Sequence, residues 1–421
     1  MLSIIISAYA CSPDMGSEPG MAWNWCVNLA KYCHLHIITE GEDKDKIEAV
    51  LPTLPQGKNM NFYYNPVSDR VRQMCSNQGD WRFYIHYNKW QKKTYTMALE
   101  IIANNHIDVI HQLNMVGFRE PGYLWKITNI PFVWGPVGGL KFFPKTYLRG
   151  AGVKMRLFNQ LKDYITILQI KYGGRIEKAI LRSDLLIAST PDAYRALRKY
   201  QHKESIIIPE TGCYREDDDE QNIDRFVGEN FNLTWVGKFD FRKQLHLALH
   251  TMVKVRHLKG IKLSIYGTGS EKQKSHYRQL SKDLGIEEYV EWCGDFANKE
   301  ILEKMKKTQL FFFTSVSEET STVVLEALSC SLPILCFDAC GFGYVVNDLV
   351  GIKIPFTNPS QSINEFADKI EYLFRHREVL SEMSKKCIHR QQELSWDNKA
   401  KQMIEIYHQV TSNLHKNNVQ S

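Results

Sequence analysis

A chain of 421 residues with 43% hydrophobic and 24% charged residues is long enough for two domains and has the balance of a folded globular protein, which excludes disordered and fibrous classes. Its formal net charge of +6 is modest and no nucleic-acid module signature occurs, so nucleic acid is not expected as a partner. Ten cysteines lack paired C-x-x-C spacing and several, such as Cys293, Cys330 and Cys336, lie in apolar runs, as buried thiols of a reducing, cytoplasmic protein do.

The first stretch, Leu2 to Cys11, lacks a basic leader and has too short an apolar run for a signal sequence. It reads as a first buried strand, followed by a loop with Gly16 and a helix from about Pro19. Ala22, Trp25, Cys26, Leu29 and Ala30 share one face of that helix. His34 to Thr39 and Asn61 to Tyr64 read as strands, Trp81 to Asn105 as a long helix, and Ile107 to His111 as a further strand. Strands at Pro131 to Trp134, Asp184 to Ala188 and Ser205 to Ile208 complete the first half. Alternation of this kind implies a parallel, doubly wound sheet, whose ligands sit at the carboxyl ends of its strands. Gly16 and His111 are expected at such ends.

Tyr214 to Asn230 is acidic and polar, and Asp217, Asp218 and Asp219 within it read as solvated linker rather than a metal motif, because no buried strand precedes them. Strand, helix and glycine-ended turn then recur from Phe231 through Gly237, Gly267 and Gly294. The apolar run Gln309 to Thr314 has buried-strand length, and Val324, Leu325, Leu328 and Cys330 follow at helical spacing. Between them Ser321 and Thr322 suit a helix cap, and the backbone N–H groups of a first helical turn form an anion site. Glu318 precedes this cradle and Glu326 follows about one turn inside the helix. Two acceptors flanking one anion site suit a diphosphate with hydroxyls on both sides, the layout of a nucleotide sugar. Leu332 to Phe337 is one more strand, and Ala400, Met403, Ile404, Tyr407, Val410 and Leu414 line one face of a terminal helix.

Glu318 and Glu326 resemble the E-x7-E motif of the family 4 retaining glycosyltransferases, which have the glycosyltransferase B fold. Trp235-Val236-Gly237-Lys238-Phe239-Asp240-Phe241-Arg242-Lys243, Ile265 to Ser270 and Val290 to Gly294 resemble the same family's strand ends in the expected order. Gly16-Ser17-Glu18-Pro19-Gly20 and Trp134 to Gly139 resemble a subset of it. The resemblance implies two Rossmann-like α/β domains facing a cleft: residues 1–208 on the acceptor side, joined by a terminal helix at 397–415, a linker at 209–230, and a nucleotide-sugar domain at 231–396. It further implies that Glu326 holds ribose hydroxyls, that Glu318 holds hydroxyls of the transferred sugar, and that no protein nucleophile is used. Glu319-Thr320-Ser321 stands where the family has glycines, and Lys238 where it usually has arginine.

Breaking a glycosidic bond to a diphosphate leaves extra negative charge. Lys238 and Lys243, with Gly237 and the Ser321-Thr322 helix start, offer partners for it, so neither a metal nor a cofactor is called for. His111 either contacts the sugar or the acceptor hydroxyl, or is structural. The expected reaction is retaining transfer of a hexose from a UDP- or GDP-sugar to a saccharide or lipid-linked acceptor in cell-surface polysaccharide or glycolipid assembly. A nucleotide-sugar epimerase of the same fold and a silent nucleotide-sugar-binding protein are the alternatives. No run approaches the ~20 apolar residues of a spanning helix. Between Lys141 and Arg182, however, ten lysines and arginines face only Asp163 and Glu177, interleaved with leucine, isoleucine and aromatic residues. Such a stretch either lies peripherally on an anionic membrane, at the inner face of the cell membrane, or is a domain helix with a basic face.

Overall fold

The protein, described here by a computed structural model over residues 1–77, 80–214 and 223–420, consists of two compact α/β units. Unit 1 comprises Met1–Leu140, Ile165–Thr211 and Trp396–Ser421, and unit 2 comprises Lys141–Tyr164 and Gly212–Ser395. Lys141–Tyr164 thus groups with the second unit, where the sequence suggested the first.

Unit 1 holds a sheet of β1 (Ser3–Ala8), β2 (His34–Thr39), β3 (Met60–Tyr64), β4 (Val109–Asn114), β5 (Phe132–Val137), β6 (Leu185–Ala188) and β7 (Ile206–Ile207). Its order is β3-β2-β1-β4-β5-β6-β7, and every pairing is parallel. Ile4, Ile5 and Ile6 of β1 are fully buried, as expected of a strand covered on both faces by helices. Each such side chain contributes roughly 1.5–3 kcal/mol of burial. The helix Trp396–Gln420 belongs to this unit because Ala400, Met403, Tyr407 and Val410 repeat at helical spacing and pack into its core. Trp396 meets Trp25 edge-on at 5.8 Å, and Lys399 Nζ donates to the Pro209 carbonyl at 2.7 Å.

Unit 2 holds β8 (Phe231–Val236), β9 (Ile261–Tyr266), β10 (Val290–Gly294), β11 (Leu310–Phe313), β12 (Ile334–Phe337) and β13 (Gly351–Ile354). The order is β10-β9-β8-β11-β12-β13, again parallel throughout. Chain order reverses direction between β8 and β11, so a crevice opens beyond the carboxyl ends of these two strands, the usual ligand position in such sheets. Phe311, Phe312 and Phe313 of β11 are buried to 1% exposure or less, which anchors the segment that follows.

Seven of the ten expected strands lie within two residues of their observed limits; Leu2–Cys11 ends early at Ala8 and Pro131–Trp134 runs on to Val137, and the third exception is the strand expected at Ile107–His111. It starts at Val109 and runs to Asn114, because Asp108 is spent on the neighbouring strand: its Oδ2 accepts from Ser3 N at 2.8 Å, while Gln112, Leu113 and Asn114 stay buried. His111 is therefore central in β4, not at its end. Eight of the ten cysteines are buried and all ten are free thiols. Asp217, Asp218 and Asp219 lie outside the described residues. Among the described residues no helix is long and apolar enough to cross a membrane.

Candidate active site

The site is built where β8 and β11 end. After Val236 the chain turns through Gly237 and Lys238 into a short helical turn, Phe241–Lys243, and Gln244 takes a left-handed conformation (φ 51°) that starts the helix Leu245–Val255. After Phe313 the chain runs through Thr314 to Ser321 into the helix Thr322–Ser329. The two segments are stitched together: Thr314 Oγ1 donates to the Lys243 carbonyl at 2.8 Å, and Val316 N donates to the Arg242 carbonyl at 2.9 Å.

Glu318 lies at the centre of this seam and is buried. Lys243 Nζ lies 2.6 Å from its Oε1 and Arg242 Nη1 lies 3.0 Å from its Oε2. The Ser315 hydroxyl donates to Oε1 at 2.9 Å. Burial pushes the Glu318 carboxyl up, but the charges of Lys243 and Arg242 and the hydrogen bonds from Lys243 and Ser315 outweigh it and hold it below the usual range. Lys243 is itself buried, its ammonium 5.0 Å from the centre of the Phe313 ring. Arg242 is less enclosed and also reaches Asp240 Oδ2 at 3.0 Å. Two fixed cations thus lie at the crevice mouth, and a buried cation with a hydrogen-bonded partner is preorganised for an anion.

The turns around them approach one another closely. Gly237 N donates to the Tyr266 carbonyl at 3.0 Å, and a Cβ on Gly267 would lie 1.9 Å from the Gly237 carbonyl oxygen. Only glycine fits there. On the other side, a Cβ on Gly341 would lie 2.6 Å from Thr320 Oγ1, which lets the Cys340–Val345 helix close against the Glu319–Thr320 turn. Glu319 itself pairs with Lys141 at 3.2 Å.

Glu326 is half-buried on the second turn of the Thr322–Ser329 helix, and Asn298 Nδ2 donates to its Oε1 at 2.8 Å. Burial raises its carboxyl above the usual range, opposed by the Asn298 hydrogen bond. Ser321 occupies the N-cap position, but its side chain makes no cap hydrogen bond, and Thr322 is exposed. A helix start with an uncommitted cap leaves first-turn amide groups for a ligand anion.

Of the residues expected from sequence, Lys243, Glu318 and Gly237 come together: a Cβ on Gly237 would meet Lys243 Cδ at 3.3 Å. Ser321, Thr322 and Glu326 lie on the helix that follows. Lys238 is exposed and is not one of the cations on Glu318. Arg242 takes that place, a residue whose position beside Lys243 was the only available signal. Asn298 carried none, since it becomes a partner only through the sheet order, whereas Ser315 is a local partner three residues before Glu318. Gly16 and His111 belong to unit 1. Gly16 is exposed at the N-cap of Ser17–Leu29, and Glu18 Oε1 just after it accepts from Val116 N at 2.9 Å.

His111 is fully buried with both ring nitrogens engaged. The Gly135 carbonyl lies 2.6 Å from Nε2, which must carry the hydrogen, so Nδ1 accepts from the Tyr407 hydroxyl at 2.6 Å. This ties β4 to the terminal helix and leaves neither nitrogen for a substrate. Burial lowers its pKa from 6.5 to about 4, opposed by the Gly135 hydrogen bond. The unfolded chain binds a proton first, so stability is lost as pH falls from about 6.5 toward about 4. The full window is worth on the order of 3 kcal/mol for this group. His111→Gln is expected to flatten the fall of the melting temperature across that window. An unchanged pH profile would show that His111 does not titrate on unfolding.

Residues 216–393 match the family model described as Glycosyl transferases group 1. An uncharacterized glycosyltransferase of Methanocaldococcus jannaschii is 27% identical over 177 residues, 42% of this chain and 44% of the relative. The D-inositol 3-phosphate glycosyltransferase of Rhodococcus erythropolis is 22% identical over 253 residues, 56% of each chain. The matched stretch spans about half the length of these curated relatives. Among solved structures, Anabaena Alr3699/HepE in complex with UDP is similar in fold, with a TM-score of 0.58 and 13% identity, covering 97% of this chain and 100% of that one.

Proposed function

We propose that this chain, whose residues 216–393 match the Glycosyl transferases group 1 model, is a glycosyltransferase that moves a hexose from a nucleoside-diphosphate sugar to a hydroxyl of a saccharide or lipid-linked acceptor. The observation that carries this reading is the Lys243–Glu318–Arg242 cluster, with Lys243 and Glu318 buried, at the β8/β11 crossover, beside the start of the Thr322–Ser329 helix. In this reading Lys243, with Lys238 and the first-turn amides after Ser321, takes up the charge of the departing diphosphate. A preorganised donor of that kind is worth on the order of 3 kcal/mol. Glu326 receives the ribose hydroxyls, and Glu318 receives hydroxyls of the sugar. Gly237 leaves room for the phosphates. The donor is a UDP- or GDP-sugar; the fold similarity to a UDP complex favours testing UDP first. We assign the reaction to the retaining, family 4 type, acting without a metal at the inner face of the cell membrane in polysaccharide or glycolipid assembly.

Calorimetric titration of UDP and GDP in the presence of a chelator tests the site. One of the two is expected to bind, with no more than a twofold change when magnesium replaces chelator. Binding that strictly requires a divalent ion would overturn the metal-free assignment, and absence of binding by both would overturn the site.

A further inference from the structure

Two residues beside the candidate site have a left-handed backbone, which a side chain disfavours: Gln244 (φ 51°) and Cys340 (φ 55°). Gln244 Nε2 donates to the Phe241 carbonyl at 2.7 Å and closes the turn that carries Arg242 and Lys243. Cys340 lies three residues beyond the end of β12 and is buried. Its sulfur reaches a segment 22 residues back in the chain, where Glu318 N donates to Cys340 Sγ at 3.4 Å. One residue further on, Gly341 N donates to the Glu319 carbonyl at 3.2 Å. Two consecutive residues of one loop thus grip two consecutive residues of the other. Contact this close requires glycine at 341, where a Cβ would lie 2.8 Å from Thr320 N. The gripping loop is held from behind by Lys353, whose Nζ lies 3.0 Å from Asp338 Oδ1 and donates to the Gly343 carbonyl at 2.8 Å.

Glycine would adopt the backbone of Cys340 without strain. Side-chain-bearing residues in that region persist where the surroundings over-determine them, and they cluster at ligand clamps and reactive sites. What this strained position gains is a sulfur aimed at the turn that presents Glu318. A thiol sulfur is a weak acceptor, so the contact contributes alignment more than stability. Lys243, Arg242 and Ser315 fix the Glu318 carboxylate from its far end, whereas Cys340 fixes the backbone from which that side chain departs. We propose that Cys340 is a positioning residue for transfer: its sulfur holds the Glu318 amide, and through it the carboxylate, where the hydroxyls of the sugar are received. This inference rests on the assignment of Glu318 to the transferred sugar and adds the residue that sets its register.

Cys340→Gly, Cys340→Ala and Cys340→Ser separate the sulfur from the backbone. Cys340→Gly relieves the left-handed strain and Cys340→Ala retains it, so the first is expected to melt at the higher temperature. Both lose the acceptor. Misplacing a reacting group by about 1 Å costs up to about a hundredfold, so both are expected to lower kcat at least about tenfold on whichever UDP- or GDP-sugar turns over. Affinity for UDP or GDP is expected to stay unchanged, because the nucleoside diphosphate does not meet Glu318 in this assignment. Cys340→Ser keeps an acceptor and is expected to recover most of the rate. Hydrogen exchange followed by mass spectrometry, without any ligand, reads the contact itself. The peptide containing the Glu318 amide is expected to exchange faster in Cys340→Gly and Cys340→Ala, and at the original rate in Cys340→Ser. A purely structural role predicts instead that activity follows melting temperature, with Cys340→Gly more active than Cys340→Ala. That ranking, unchanged exchange at Glu318, or a normal kcat in Cys340→Ala overturns the proposal. Full activity of Cys340→Ala beside an inactive Glu318→Gln removes this inference and leaves the sugar-site reading standing, whereas full activity of Glu318→Gln removes both.

Discussion

Lys243→Ala is expected to lower turnover by about a hundredfold or more and also to lower stability. The first effect follows from losing a preorganised cation where leaving-group charge develops, commonly worth about 3 kcal/mol. The second follows because Lys243 and Glu318 are both buried and 2.6 Å apart. Removing one partner of a buried pair costs about 3–5 kcal/mol when nothing else compensates. Here Arg242 and Ser315 still hold Glu318, which moderates the loss and lets the fold persist. Lys238→Ala provides the contrast: an exposed side chain outside the cluster is expected to leave the melting temperature unchanged while turnover falls at least tenfold. Steady-state rates and thermal melts on both variants check this. Near-normal turnover in the two variants together would remove the cations from the mechanism.

Glu326→Gln and Glu318→Gln are expected to separate product binding from transfer. A carboxylate that accepts from ribose hydroxyls touches the nucleoside diphosphate itself, and hydrogen bonds to a charged group are worth about 1.5–3 kcal/mol. Glu326→Gln should therefore weaken nucleoside diphosphate binding by roughly ten- to a hundredfold. Glu318→Gln should leave that affinity within a few-fold and depress transfer by at least a hundredfold, since its hydroxyl partners are on the sugar. The pH dependence has a sign. Burial raises the Glu326 carboxyl, so nucleoside diphosphate affinity is expected to fall on acidification earlier than for an ordinary glutamate. Equal losses of product affinity in both variants, measured by calorimetry, would contradict the division of roles.

The sequence made the strands legible because buried parallel strands are short apolar runs closed by glycine or polar turns, as Phe231–Val236 and Gln309–Thr314 show. It was poorer at the far end of unit 2. Gly351–Ile354 is only partly apolar, and the helices Pro359–Arg375 and Arg377–Glu393 lack a glycine-ended motif to mark them. At the site, Glu318, Glu326 and Lys243 were visible because their spacing from a strand end is local. Arg242 and Asn298 were not, because their partners lie 76 and 28 residues away and are chosen by sheet order. His111 misled for the opposite reason. A histidine in an apolar strand gives no sign that a tyrosine 296 residues later occupies its ring nitrogen. The basic stretch was legible in composition, but its division between the two units, at Tyr164 and Ile165, was not.

The most direct test incubates the protein with a panel of UDP- and GDP-sugars in chelator, with and without saccharide and lipid-linked acceptors. Nucleoside diphosphate release and the anomeric configuration of the product are followed by proton resonance. The expected result is release that depends on an acceptor and a product that keeps the donor's anomeric configuration. Interconversion of the sugar without any acceptor, or tight nucleotide binding with no turnover under every condition, would contradict a glycosyltransferase.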